Sequence, residues 1–422
     1  MKLSKKSKLL MSFFTKNKYI NHVKQTHRTN KIITQLYNDL LNAHNVLLNL
    51  KQTRGSRFYN VTIKKITNPS QIIRPKNFNA HSFPQKVREH IDDLSLTEIC
   101  YTFSLFNRNI KLIFTTEDVH IELKLDEYNK HVDSVIMWLY ILNEYSSKQC
   151  ASNLIVYFYF TSLEKQLPNS NISVLDENNV NTAFTTTCPK DSEIVVYRKE
   201  EWFKVFIHES FHNFALDFSD MNNSECTSRI LDIFPVQSEV NLYESYTEFW
   251  AEITNALFCG FFSLKDKNDI DGFLSNSEFF INFERTYSFF QLSKALQFMG
   301  LSYTDLYSKN IHRKVLRETL YKEKTNVLSY YVIKTILLNN YQDFLYWCSK
   351  HNLSLLQFKK TLKNQLEYCK FIERNYKTAS MLEGTERSQK FLNILHSKNK
   401  NKRHVNDTYI LSNLRMSICE LG

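Results

Sequence analysis

Glycine and proline are scarce, six of each in 422 residues. The residues that ordinarily punctuate turns and linkers therefore give little guidance to domain boundaries. No two of the eight cysteines are spaced C-x-x-C, and no zinc-finger spacing, P-loop or RNA-binding signature is present. Scattered cysteines predict free thiols in a reducing compartment. Long apolar runs are also missing. The first, "LLMSFF" at 9–14, is cut off by Lys16 and Lys18, too soon for a signal peptide or a membrane span. The expectation is a soluble, intracellular protein.

What is present is a buryable interior. Apolar residues make up 43% of the chain and charged residues 23%. That balance supports a folded protein of two or three subdomains. The net charge of +11 is concentrated in "KLSKKSK" (2–8) and "SKNKNKR" (397–403). Such tails can attract nucleic acid, although no motif supports that partner, and they equally serve as solvated ends.

Hydrophobic periodicity divides the chain in two. A helix is predicted over 30–51, a strand over 58–66 and a short helix over 85–95. Residues 100–117 read as a hairpin turning at Asn107-Arg108-Asn109, and 119–125 alternate like a further strand. A helix over 130–145 and strands over 154–161, 181–187 and 193–198 follow. From Glu200 onward the pattern is almost wholly helical. The predicted class is α+β, with a mixed sheet and helices in the N-terminal half and an all-α C-terminal half. The predicted units are a basic helical segment (1–55), an α+β subdomain (56–198) and a helical subdomain (199–422).

The chemistry centres on "IHESFHNF" (207–214). On the predicted helix 200–217, His208 and His212 lie one turn apart on one face, so both imidazoles can reach one ion. Glu209 can reach a water on that ion and take its proton. Glu200 and Glu201 suit the positive end of this helix. About thirty residues on, "NLYESYTEFWAEITNALF" (241–258) sets Glu244, Glu248 and Glu252 every fourth position along a helix that becomes almost wholly apolar. Carboxylates entering a buried helix need partners. Two histidines and one glutamate make a three-ligand catalytic zinc set with an open fourth position. The next carboxylate along would orient a ligand histidine.

HExxH followed on a later helix by E-x-x-x-[DE] resembles the gluzincin, or thermolysin-like, metallopeptidases. "YESYTEFWAE" is similar to their glutamate helix, and the nearest likeness is to metallopeptidases of large nucleocytoplasmic DNA viruses. The likeness covers about residues 181–260. It implies a zincin-like core around the HExxH helix, Zn2+ as cofactor and a protein or peptide substrate. It makes His208 and His212 ligands and Glu209 the general base. Aligned on Glu244, that residue is the third ligand and Glu248 its supporting carboxylate. Shifted one turn to "EFWAE", as in the lethal-factor type, Glu248 is the ligand and Glu252 the support. Both registers remain open at this stage. "VNTAFTTT" (180–187), with Asn181 and Ala183, falls where such enzymes carry an edge strand beside the zinc helix. Tyr330, Tyr331 and Lys334 in "TNVLSYYVIKTILL" (325–338) are candidate oxyanion donors, ahead of His312. Asp217 is either a neighbour of the site or a plain helix-end residue. The rival expectation is a non-enzymatic structural or interaction protein with a relic or structural zinc site.

Overall fold

The computed structural model describes residues 2–55, 58–80, 82–399 and 405–422. The basic run 397–403 therefore lies largely outside the described residues. The chain has an α+β N-terminal half built on one sheet and a helical C-terminal half. It opens with helices α1 (Lys5–Lys16) and α2 (His27–Arg54). The Thr26 hydroxyl caps α2 by accepting from the Thr29 amide at 3.2 Å. One stripe of α2, including Ile33, Leu36, Leu40 and Leu47, is buried.

The sheet contains β1 (Asn60–Lys65), β2 (Thr97–Leu105), β3 (Arg108–Thr116), β4 (Asn153–Phe160), β5 (Ala183–Thr185) and β6 (Asp191–Val196) in the order β1-β2-β3-β4-β6-β5. The pairs β3–β4 and β4–β6 are parallel and the others antiparallel. The hairpin β2–β3 turns at Phe106 and Asn107, both with positive φ, one residue earlier than the sequence suggests. This two-residue turn suits the strand twist, and Leu105 then pairs with Arg108. Residues 119–125 are not a strand: Ile121–Lys124 form a 3-10 turn leading into helix α4 (Leu125–Tyr145). Apolar alternation there buries Ile121 alone, leaving Leu123 86% exposed.

Strand alternation splits the core. Phe158 and Val196 face the main cluster, whereas Tyr157, Tyr159 and Val195 face a smaller one formed with Phe78, Phe83 and helix α3 (Gln85–Leu94). The short helix α5 (Glu177–Val180) leads to β5, which has three residues rather than the seven suggested for 181–187. A disulfide joins Cys150 to Cys188, correcting the expectation that all eight cysteines are free. It links the loop before β4 to the loop between β5 and β6, residues 38 apart in sequence that spacing alone cannot pair.

The C-terminal half begins with α6 (Trp202–Asn213), α7 (Ser224–Ile233), α8 (Leu242–Ser263) and α9 (Ile270–Phe298). It continues with α10 (Ile311–Leu320), a π-helical stretch Leu328–Ile333 running into α11 (Lys334–Asn339), then α12 (Tyr341–His351), α13 (Leu362–Asn375), α14 (Ala379–Asn399) and α15 (Val405–Ser412). Residues 413–422 depart from the helical pattern. They run through the interior with little regular structure, and Leu414, Arg415, Ser417 and Ile418 are fully buried. Backbone amides of this segment are met by buried carboxylates. Met416 and Ser417 donate to Glu201 Oε1, and Ile418 and Cys419 to Glu284.

Candidate metal centre

Every residue of α6 is buried, because the helix lies between the β5–β6 edge of the sheet and α8. Its first turn differs from the sequence reading. The helix starts at Trp202, and Glu201 precedes it in the left-handed region with no side-chain cap. Glu201 instead pairs with Lys165 Nζ at 2.9 Å, while Glu200 accepts from the Lys165 amide at 2.8 Å.

The spacing of four brings His208 and His212 together with Glu244 from the first turn of α8. His208 Nε2 lies 3.2 Å from His212 Nε2 and 3.1 Å from Glu244 Oε2, and His212 Nε2 lies 3.4 Å from that same oxygen. A tetrahedral ion with bonds of about 2.0–2.1 Å places its ligand atoms about 3.3–3.4 Å apart. The triangle matches one face of such a tetrahedron.

The outer ring nitrogens fix the tautomers. His208 Nδ1 lies 2.8 Å from Glu248 Oε2, and His212 Nδ1 contacts Asp217 Oδ2. An ionised carboxylate only accepts, so each Nδ1 carries its proton. In the neutral rings each Nε2 then presents a lone pair toward the other and toward Glu244. Three lone pairs facing one point repel unless a cation, or added protons, sits between them. The electrostatics agree. Burial by itself depresses the His212 pKa, but the charges of Asp217 and Glu244 outweigh it and hold the ring well above its ordinary value. His208 is also raised, with Glu244 and Glu248 overcoming burial. Burial pushes Glu244 upward, yet His212 and His208 hold it far below the usual carboxylate range.

Each supporting carboxylate has support of its own. Lys204 Nζ donates to Glu248 Oε1 at 2.6 Å, a pair almost wholly buried. Asp217 accepts from the Ser219 amide at 2.9 Å and from Thr247 Oγ1 at 3.2 Å. Glu209 lines the cleft beside the triangle, and among the described residues no hydrogen bond ties up its carboxylate. Burial raises its pKa, opposed by His208 and His212. Tyr330 donates its hydroxyl to Glu244 Oε2 at 2.9 Å.

Other candidates fall elsewhere. Glu248 meets the Nδ1 side of His208 rather than the triangle, and Glu252 pairs with Lys334 at 2.6 Å in the interior, so the geometry favours the Glu244 register. Tyr331 donates to the Leu414 carbonyl at 2.7 Å and does not reach the site. His312 is exposed on α10. Asn181 and Ala183 line the cleft, with Asn181 accepting from Thr325 Oγ1 at 2.7 Å. Lys204 was not singled out from the sequence. Its one sequence signal is that it is the single lysine or arginine of α6, one turn before His208 on the face that carries both histidines.

No family model matches this chain, and neither does any curated protein or any solved structure.

Proposed function

We propose that this protein is a zinc-dependent peptidase of gluzincin type. His208 Nε2, His212 Nε2 and Glu244 Oε2 are the metal ligands and Glu209 is the general base. One observation carries the reading: two imidazole nitrogens and a carboxylate oxygen lie within 3.4 Å of one another, beside a carboxylate that has no hydrogen bond among the described residues. Bound zinc would supply Lewis acidity toward a water and a peptide carbonyl. Glu209, its pKa raised by burial, accepts the proton of the attacking water and returns it to the leaving amine. Glu248 and Asp217 hold the two imidazoles in the tautomer and orientation the ligands require. The Tyr330 hydroxyl, which lies against Glu244 Oε2, is the candidate for steadying the oxyanion. The outer edge of β5, with Ala183 in the cleft, offers backbone groups to an extended peptide.

A second reading is favoured by the size of the cleft. Its cavity volume is about 30 Å³, far below the roughly 300–1,000 Å³ of typical ligand sites. In that reading the metal is structural and the protein acts by interaction. Glu209→Gln separates the two, since glutamine keeps the shape but takes no proton. The peptidase reading expects one zinc per chain in both proteins by elemental analysis, and hydrolysis of a mixed peptide library by the unsubstituted protein alone. Equal cleavage by both proteins, or none by the zinc-loaded unsubstituted protein, overturns it.

A further inference from the structure

A second cavity lies apart from the metal cleft. It encloses about 760 Å³ and shares no lining residue with that cleft. It opens at the carboxyl ends of the parallel strands β3 and β4, where Thr116 and Phe160 are the last residues. Open sheets with parallel strands characteristically bind ligands at that edge. The volume is typical of small-molecule sites.

Its lining has a distinct chemistry. Phe160 and Trp202 lie at its base, with Val119 and Leu163 also in the lining. Six carboxylates line it against three lysines, in a chain whose net charge is +11. Most of those carboxylates are already satisfied. Glu117 accepts from His90 at 2.6 Å and from the Ser162 amide at 2.7 Å, Asp118 pairs with Lys124, and Glu164 pairs with Lys6. Glu420 holds Arg415 and the Glu201 amide. Glu200 accepts from the Lys165 amide. Glu127 is held more loosely, by ion pairs with His131 and Lys199 that keep its pKa down at about 2. Its carboxylate is 40% exposed, and its neighbours stand off at 3.6 Å (Lys199 Nζ) and 3.7 Å (His131 Nε2), outside hydrogen-bond distance. His131 is 2% exposed, and among the described residues neither of its ring nitrogens has a hydrogen-bond partner.

Lys199 shows what the site attracts. Its ammonium stands 5.9 Å from the centre of the Phe160 ring while facing Glu127, so the chain's own amine hovers where cation–π and carboxylate attraction combine. The side chain of Lys199 is 54% exposed and can swing into water on its flexible stem. We propose that this cavity is a binding site for a small amphipathic amine. The ligand ammonium takes the place of Lys199 between Glu127 and Phe160, and its apolar body lies along Trp202, Val119 and Leu163. The site is independent of the metal reading, because no ligand of the triangle lines it.

The test uses the full chain and two probes of one shape and opposite charge, 2-phenylethylamine and phenylacetate, titrated by calorimetry. The amine is expected to bind and phenylacetate to bind at least tenfold more weakly. Glu127→Gln should weaken the amine about tenfold or more, because it removes the counter-charge. Lys199→Met should tighten it several-fold, because it removes the competing ammonium. These opposite signs guard against simple misfolding, since Glu127 and Lys199 are both partly exposed. Absence of amine binding, equal affinity for phenylacetate, or unchanged affinity in Glu127→Gln overturns the proposal.

Discussion

Glu244 and Glu248 are one helical turn apart on α8 and contact the same imidazole from opposite sides. Substituting each by glutamine should nevertheless give crossed effects on metal binding and on stability. Glu244 contributes its oxygen to the triangle, and among the described residues no lysine or arginine pairs with it. Its loss removes a ligand but leaves each histidine its other carboxylate partner, Glu248 on His208 and Asp217 on His212. Glu248 contributes no ligand atom but neutralises Lys204, whose side chain is 3% exposed. Loss of an outer support of this kind weakens metal affinity by about 10–100-fold, equivalent to about 1.4–2.7 kcal/mol. Loss of a ligand should cost more than that range. Stranding a buried ammonium destabilises a protein by about 3–5 kcal/mol. Glu244→Gln should therefore lose more zinc affinity and less apoprotein stability, and Glu248→Gln the reverse. Zinc affinity is ranked by competition with graded chelators, and stability by urea unfolding of the metal-free proteins. If one variant is worse on both measures, the division of roles between the two glutamates is wrong. If Glu248→Gln loses more zinc, the third ligand moves to Glu248.

Three further outcomes are expected. Removing residues 413–422 leaves Glu201 and Glu284 without the amides of Met416, Ser417, Ile418 and Cys419. The truncated protein should lose cooperative unfolding by circular dichroism, and a sharp transition at the original midpoint would contradict the account. Alkylation of the unfolded, unreduced protein should label six cysteines, rising to eight after reduction, with mass spectrometry placing the bond at Cys150 and Cys188. The pH dependence of stability should carry a contribution from Glu323. Burial raises its folded-state pKa to about 7 against an ordinary value of 4.5, so its stabilising contribution is full below about pH 4.5 and is lost as pH rises through about 7. Glu323→Gln should flatten that part of the profile by about 2 kcal/mol between pH 5 and 8, and an unchanged slope in urea titrations would count against this role.

The parts of the site legible in the sequence were those set by helical repeats. His208 and His212, and the row Glu244, Glu248 and Glu252, are spaced by four, and a four-residue step fixes a common face without knowledge of any partner. Which glutamate meets the triangle depends on how far α8 slides along α6, and one turn of sliding leaves the sequence pattern unchanged. Asp217 and Lys204 were obscured for the same reason, since their partners His212 and Glu248 become neighbours only once the backbone turns or a second helix arrives. The alternation over 119–125 suggested a strand because periodicity carries no information on whether an adjacent strand exists to pair with. Tyr330 and Tyr331 are adjacent in sequence and equally aromatic. The helix around them sends one hydroxyl to Glu244 and the other to the Leu414 carbonyl.

The burial of residues 413–422 also bears on the order in which the molecule is assembled. Glu201 immediately precedes the helix that carries both histidines, and its amide partners lie 215 and 216 residues further along. The segments around Ser4 and Glu420, 416 residues apart, are joined by side-chain and main-chain bonds. Contacts at such separations form late and slowly, because a long loop must close before they reward it. During synthesis the histidine-bearing helix emerges well before its closing partners do. Until they arrive, a carboxylate beside that helix waits without its main-chain partners. The polypeptide is thus held back from a finished cluster of His208, His212 and Glu244 until nearly all of this sequence has been made.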